Sequence, residues 1–184
     1  MYDWDQLYEA FKQKLEAVSG ECYRVKSTGE LLPLISDLLK RKNVKSVAYV
    51  DSPIIRQANL RALDQEFEVY SSDHRNTAPL VDAGITEMQW GIAELGTMVQ
   101  TAVDINERLV SCLPPIHIAL LRTKRIIPTL METMATLHRL PEIPGFVGFV
   151  TGPSRTSDIE RVLTIGVHGP GEFIAILVDE EENG

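Results

Sequence analysis

Only two cysteines stand in 184 residues, Cys22 and Cys112, far apart and with no CxxC pair. That scarcity excludes a disulfide framework. It also leaves no thiolate set for a self-contained iron–sulfur cluster or a structural zinc site. His, Asp and Glu show no ligand spacing either, so no bound metal is expected. Long apolar runs are missing, none approaching the roughly 20 residues that span a bilayer. The first residues, Met-Tyr-Asp-Trp-Asp-Gln, have neither the positive n-region nor the apolar h-region of a secretory leader. The expectation is a cytoplasmic chain with reduced thiols and no insertion into a membrane. Positive charge is short as well: 18 Lys and Arg face 26 Asp and Glu, a net charge of −8, with no basic stripe. Binding to nucleic acid or anionic membranes needs concentrated positive charge and is disfavoured. There is no GxGxxG after a strand, no Walker A lysine loop, no HExxH and no GxSxG. A dinucleotide-dependent dehydrogenase acting alone and a P-loop ATPase are both disfavoured.

What is present suits one domain with a substantial core. Leu7, Phe11, Leu15 and Val18 recur at intervals of three and four, which predicts an amphipathic helix over 4–18. Ser27 or Thr28 is placed to cap a second helix through Leu31, Ile35, Leu38 and Leu39, ending in cationic Lys40-Arg41-Lys42. Residues 46–50 form a short apolar run of strand type, followed by Asp51-Ser52-Pro53 and a helical stretch to about Leu63. Further strands are predicted at 67–70, 84–86, 91–93, 96–101, 116–121 and 125–127. A helix over 129–138 follows, then a buried strand at 146–150 and a last strand at 173–178. Strand, turn and helix in this order predict an α/β domain with a mixed sheet. Residues 1–42 are expected to form an N-terminal helical extension packed on a domain of residues 43–184.

Two glycine-rich turns carry most of the unexplained polar chemistry. The first reads Gly152-Pro153-Ser154-Arg155-Thr156-Ser157-Asp158, the second Gly166-Val167-His168-Gly169-Pro170-Gly171-Glu172. Thr156 or Ser157 is positioned to cap a helix beginning near Asp158, whose free N–H groups suit an anion. Arg155 adds a forked, permanent cation. Each residue also has a plainer reading. Arg155 can pair with Asp158 or Glu160, Asp158 can be a first-turn carboxylate, and His168 can be a loop histidine. His117, between Ile116 and Ile118, reads as a sheet-face histidine, and Glu94 as a turn carboxylate. His74 and His138 carry no motif and are expected at the surface.

These two turns, together with Ala93-Glu94-Leu95-Gly96-Thr97 and with Arg108 ahead of Leu113-Pro114-Pro115-Ile116-His117-Ile118, resemble the ordered signature of the lactate utilization protein C family. Its single module is the LUD domain. The likeness runs from about Asp82 to Asp179, and Leu95 stands where the family has a small hydroxylic residue. The resemblance implies a Rossmann-like sheet flanked by helices, akin to the superfamily of CoA-transferases and sugar-phosphate isomerases, with residues 43–184 as the LUD-type domain. It implies Glu94 and His168 as catalytic candidates. Gly96, Thr97, His117, Gly152, Ser154, Arg155, Thr156, Asp158 and Gly169 are implied around a small anionic ligand.

The resemblance further implies a subunit of a bacterial system that oxidises L-lactate to pyruvate. Iron–sulfur clusters would reside in partner proteins, and this chain would bind no cofactor. Two alternatives stand beside it. One is a stand-alone enzyme of CoA-transferase or isomerase type, with Glu94 of the Glu-x-Gly turn as nucleophile or base. The other is a non-enzymatic metabolite-binding or assembly factor.

Overall fold

The computed structural model describes residues 2–157, 163–165 and 168–180. The chain opens with helix α1 (Trp4–Ala17), strand β1 (Glu21–Val25), helix α2 (Leu31–Arg41), β2 (Ser46–Tyr49), α3 (Pro53–Gln57) and β3 (Glu68–Tyr70). It continues through α4 (His74–Thr77), β4 (Ala83–Glu87), β5 (Trp90–Ile92), β6 (Thr97–Thr101), α5 (Ile105–Cys112), β7 (Ile116–Arg122) and β8 (Ile126–Ile127). The remainder is α6 (Leu130–His138), β9 (Val147–Val150), β10 (Arg155–Ser157), β11 (Leu163–Ile165) and β12 (Glu172–Val178).

Six strands form the main sheet in the order β3-β2-β4-β7-β12-β1, and every neighbouring pair is parallel. Parallel strands buried on both faces need continuous apolar sequence, and β7, Ile-His-Ile-Ala-Leu-Leu-Arg, is buried throughout. One face sets Val47, Ile85, Ile118 and Ile176 against Leu31, Ile35 and Leu38 of α2. The other face carries small residues where covering elements come close. Ala119 and Ala175 pack with Phe11 and Leu15 of α1, and Ala48 packs with Val110 of α5. At Gly84 an added Cβ would lie 2.0 Å from the Val110 carbonyl oxygen, so the α5 backbone rests directly on β4. The predicted mixed pairing belongs to a second sheet, β8-β5-β6-β9, in which β5 pairs parallel with β8 and antiparallel with β6.

Several elements differ from the sequence expectation. β1 was not foreseen; as the edge strand beside β12, it ties residues 21–25 into the main sheet. α5 was not foreseen either. The expected cap of α2 is replaced by a 3-10 turn over Thr28–Glu30, whose Thr28 N–H and hydroxyl donate to the Glu180 carboxylate at 2.8 and 2.9 Å. β9 is a half-exposed edge strand, not a buried one. Thr156 and Ser157, expected as helix caps, lie in β10, which pairs antiparallel with β11. The helix expected near Asp158 lies outside the described residues, as does Asp158 itself. His74 is buried, not at the surface. Among the described residues, no helix is long and apolar enough to cross a membrane.

Candidate functional site

From β2 the chain moves outward to β3, then returns past β2 to β4, so the sheet is wound in opposite directions from these two strands. At such a switch point the connections leaving the carboxyl ends diverge and open a crevice. A cleft of about 330 Å³ lies there. Asp51, Ser52, Pro53 and Arg56 follow β2 into it, Thr86 and Glu87 end β4, and Met88 and Gln89 continue from β4. Glu107 comes from α5, and Arg122 and Arg125 come from the end of β7 and the turn after it. That volume is at the small end of the range for metabolite pockets.

The charges around the cleft are held in different ways. Glu87 accepts the Ile54 N–H at 3.0 Å, which fixes the start of α3. Arg56 is tied to Asp51 at 2.5 Å. Arg122 is buried; its Nη1 donates to the Glu180 carbonyl and its Nη2 to Gln57 Oε1, each at 2.6 Å. Burial raises the Glu107 carboxyl above the usual range, and the nearby Asp104 and Glu87 carboxylates raise it further. Thr86 Oγ1 lies 2.8 Å from His117 Nε2. Burial pushes the His117 imidazole down to about 3, so it is neutral beneath the cleft at ordinary pH.

Most residues singled out from the sequence meet elsewhere, around the end of α1. The Glu94–Thr97 turn lies on its last turn, and Gly96 (φ +62°) is so close that a Cβ would meet the Leu15 nitrogen at 2.3 Å. Thr97 and Thr151 share a hydroxyl contact of 2.9 Å. Gly152 packs on Val18. The Arg155 guanidinium donates to the Val18 carbonyl and to Ser19 Oγ, each at 2.7 Å, which places a cation where the helix dipole favours one. Ser154 N–H donates to the Pro170 carbonyl at 2.8 Å, and Gly169 lies against the Ser154 side chain. This cluster sits beside the amino end of β12, the opposite edge of the sheet from the cleft. Glu94 turns away from it, its Oε1 accepting the Leu130 N–H at 2.5 Å at the start of α6. His168 is exposed, and Thr156 contributes backbone to β10. Among the described residues of that set, His117 alone connects to the cleft, through Thr86. The cleft residues Glu87, Glu107, Arg122 and Arg125 escaped the sequence reading. One signal was available for two of them: Glu87 and Arg122 are charged residues closing apolar strands.

A family model described as LUD domain matches residues 8–178. A protein named Lactate utilization protein C from Geobacillus sp. (strain WCH70) is 28% identical, the alignment covering 97% of this chain and 80% of the relative. A relative of the same name from Halalkalibacterium halodurans is 28% identical over 96% of this chain and 80% of its own. Another from Exiguobacterium sp. reaches 38% over 58% of this chain and 48% of its own. Among solved structures, the crystal structure of a DUF162 family protein from Deinococcus radiodurans superposes with a TM-score of 0.61 at 19% identity. It covers 97% of this chain and 99% of that one, a likeness of fold.

Proposed function

The chain belongs to the LUD domain family, and from that premise we propose that it is a subunit of a lactate-utilization system. In this proposal it acts in the cytoplasm with iron–sulfur partner proteins that carry the electrons from L-lactate, and it binds a small anionic metabolite itself. One observation carries the assignment: relatives named Lactate utilization protein C align with 96–97% of the chain, not with one motif. Kinship of fold with CoA-transferases and sugar-phosphate isomerases is part of the same proposal. It is supported by a parallel sheet with a cleft at its carboxyl ends.

The division of labour follows from side-chain chemistry. Lactate oxidation releases two electrons and two protons; the electrons would pass singly to iron–sulfur clusters of the partners and the protons to solvent, while this chain supplies fixed cations and hydrogen-bonding groups for an acid. The test is lactate oxidation by the purified partners with and without this chain. The rate is expected to fall at least about tenfold when the chain is omitted, a loss of about 1.4 kcal/mol in transition-state stabilisation. An undiminished rate contradicts the proposal.

A further inference from the structure

One cation at the cleft has no ion-pair partner among the described residues. Arg122 is only 5% exposed, and its guanidinium is permanently charged. Both of its bonded acceptors, the Glu180 carbonyl and the Gln57 side-chain amide, are neutral. Its Nε–H is buried without an acceptor among the described residues. The Glu180 carboxylate is held low by its hydrogen bonds from Thr28 and, less, by the nearby Arg122 charge, with no direct ion pair between the two. A buried cation bonded to neutral acceptors is only partly offset by a carboxylate outside ion-pair distance, and an incoming anion offsets more of that cost. Arg125, exposed and three residues along the chain, places a second guanidinium on the same cleft.

On the β4 and α5 side the lining is of another kind. Thr86, whose buried hydroxyl lies against the neutral His117 ring, and the half-buried Glu107 carboxyl both line it, groups whose chemistry suits an oxygen substituent. The cation across β4 from them, Arg56, is already paired with Asp51. The polarity of the cleft therefore has a direction, with Arg122 and Arg125, neither in a direct ion pair among the described residues, at the β7 end.

We propose that this cleft binds a small metabolite whose carboxylate or phosphate lies against Arg122 and Arg125, with a neighbouring hydroxyl or carbonyl oxygen held by Thr86 and Glu107. This deepens and rests on the proposed binding of a small anion, and it locates the site away from the glycine-rich turns.

Isothermal titration of the full chain tests it. L-Lactate, pyruvate and propionate form a carboxylate arm, and glycerol 3-phosphate and inorganic phosphate form a phosphate arm. One arm is expected to bind, and its oxygen-bearing members should bind at least about tenfold more tightly than propionate or inorganic phosphate. Arg125→Gln, at an exposed position, should weaken binding about tenfold with the fold intact. Arg122→Lys, checked for folding by circular dichroism, should weaken it further because an ammonium lacks the forked geometry. No binding of any probe, or binding that survives Arg125→Gln and is lost in Arg155→Ala, overturns the proposal. Either result leaves the lactate-system proposal to its own test, which reads oxidation rate with the partners present.

Discussion

At the scale of single residues, His117 carries the clearest consequence. Buried in β7, it touches the Thr86 hydroxyl and sits edge-to-face with Phe173 at 5.3 Å. The unfolded chain takes up a proton on this histidine near 6.5, while burial holds the folded value at about 3. Above about 6.5 neither state is protonated and stability is unaffected. As the pH falls from there toward 3, the unfolded state gains a proton that the folded state refuses, and stability is lost. The loss is on the order of a few kcal/mol. His74, also held low by burial, adds with the same sign. Urea unfolding at pH 7 and pH 5 should show the protein weakening at pH 5, and His117→Gln should flatten that dependence. An unchanged pH dependence in the variant contradicts this account. The sheet-face position of His117 was legible, because Ile flanks it on both sides. Nothing local marks His74 as buried, since α4, on which it stands, is only four residues long.

At the scale of elements, strongly patterned segments were legible and weakly patterned ones were not. α1 and α2 announce themselves through apolar residues every three or four positions. α5 buries only Val110 and Ser111 and leaves Ile105 exposed, so its sequence shows no stripe. β1 is five residues long and finds its place only by pairing with a strand some 150 residues away in the chain. The residues at 155–157 combine turn and cap chemistry, and long-range pairing with β11 outweighs that local preference. Glu94 is the element-scale case with a direct test. Its carboxylate accepts the Leu130 N–H at the start of α6, where Thr129 also accepts the Glu132 N–H. Glu94→Ala should cost about 1 kcal/mol in urea unfolding, whereas Glu94→Gln, which keeps an acceptor oxygen, should cost a few tenths. Equal stabilities of the two variants argue against the capping role. Loss of lactate oxidation in a well-folded Glu94→Gln returns this residue to the chemistry.

At the scale of the whole molecule, the α/β class was legible from alternating strands and helices, but the wholly parallel main sheet was not. Pairing order is set by contacts between distant segments. The cleft has the same origin. Its lining comes from the ends of β2, β4 and β7 and from α5, segments that share no motif and meet only when the sheet is wound. Most described residues of the sequence motifs gather instead around the end of α1, where Arg155 donates to the Val18 carbonyl and Gly96 packs on Leu15. The measurement that separates these two places most directly is amide hydrogen exchange of the full chain with and without saturating L-lactate, and likewise with saturating glycerol 3-phosphate. Slower exchange is predicted over 50–56, 86–89 and 122–125, at the carboxyl ends of the central strands. Protection confined to 152–155 and 168–170, or none at all, contradicts the cleft as the site.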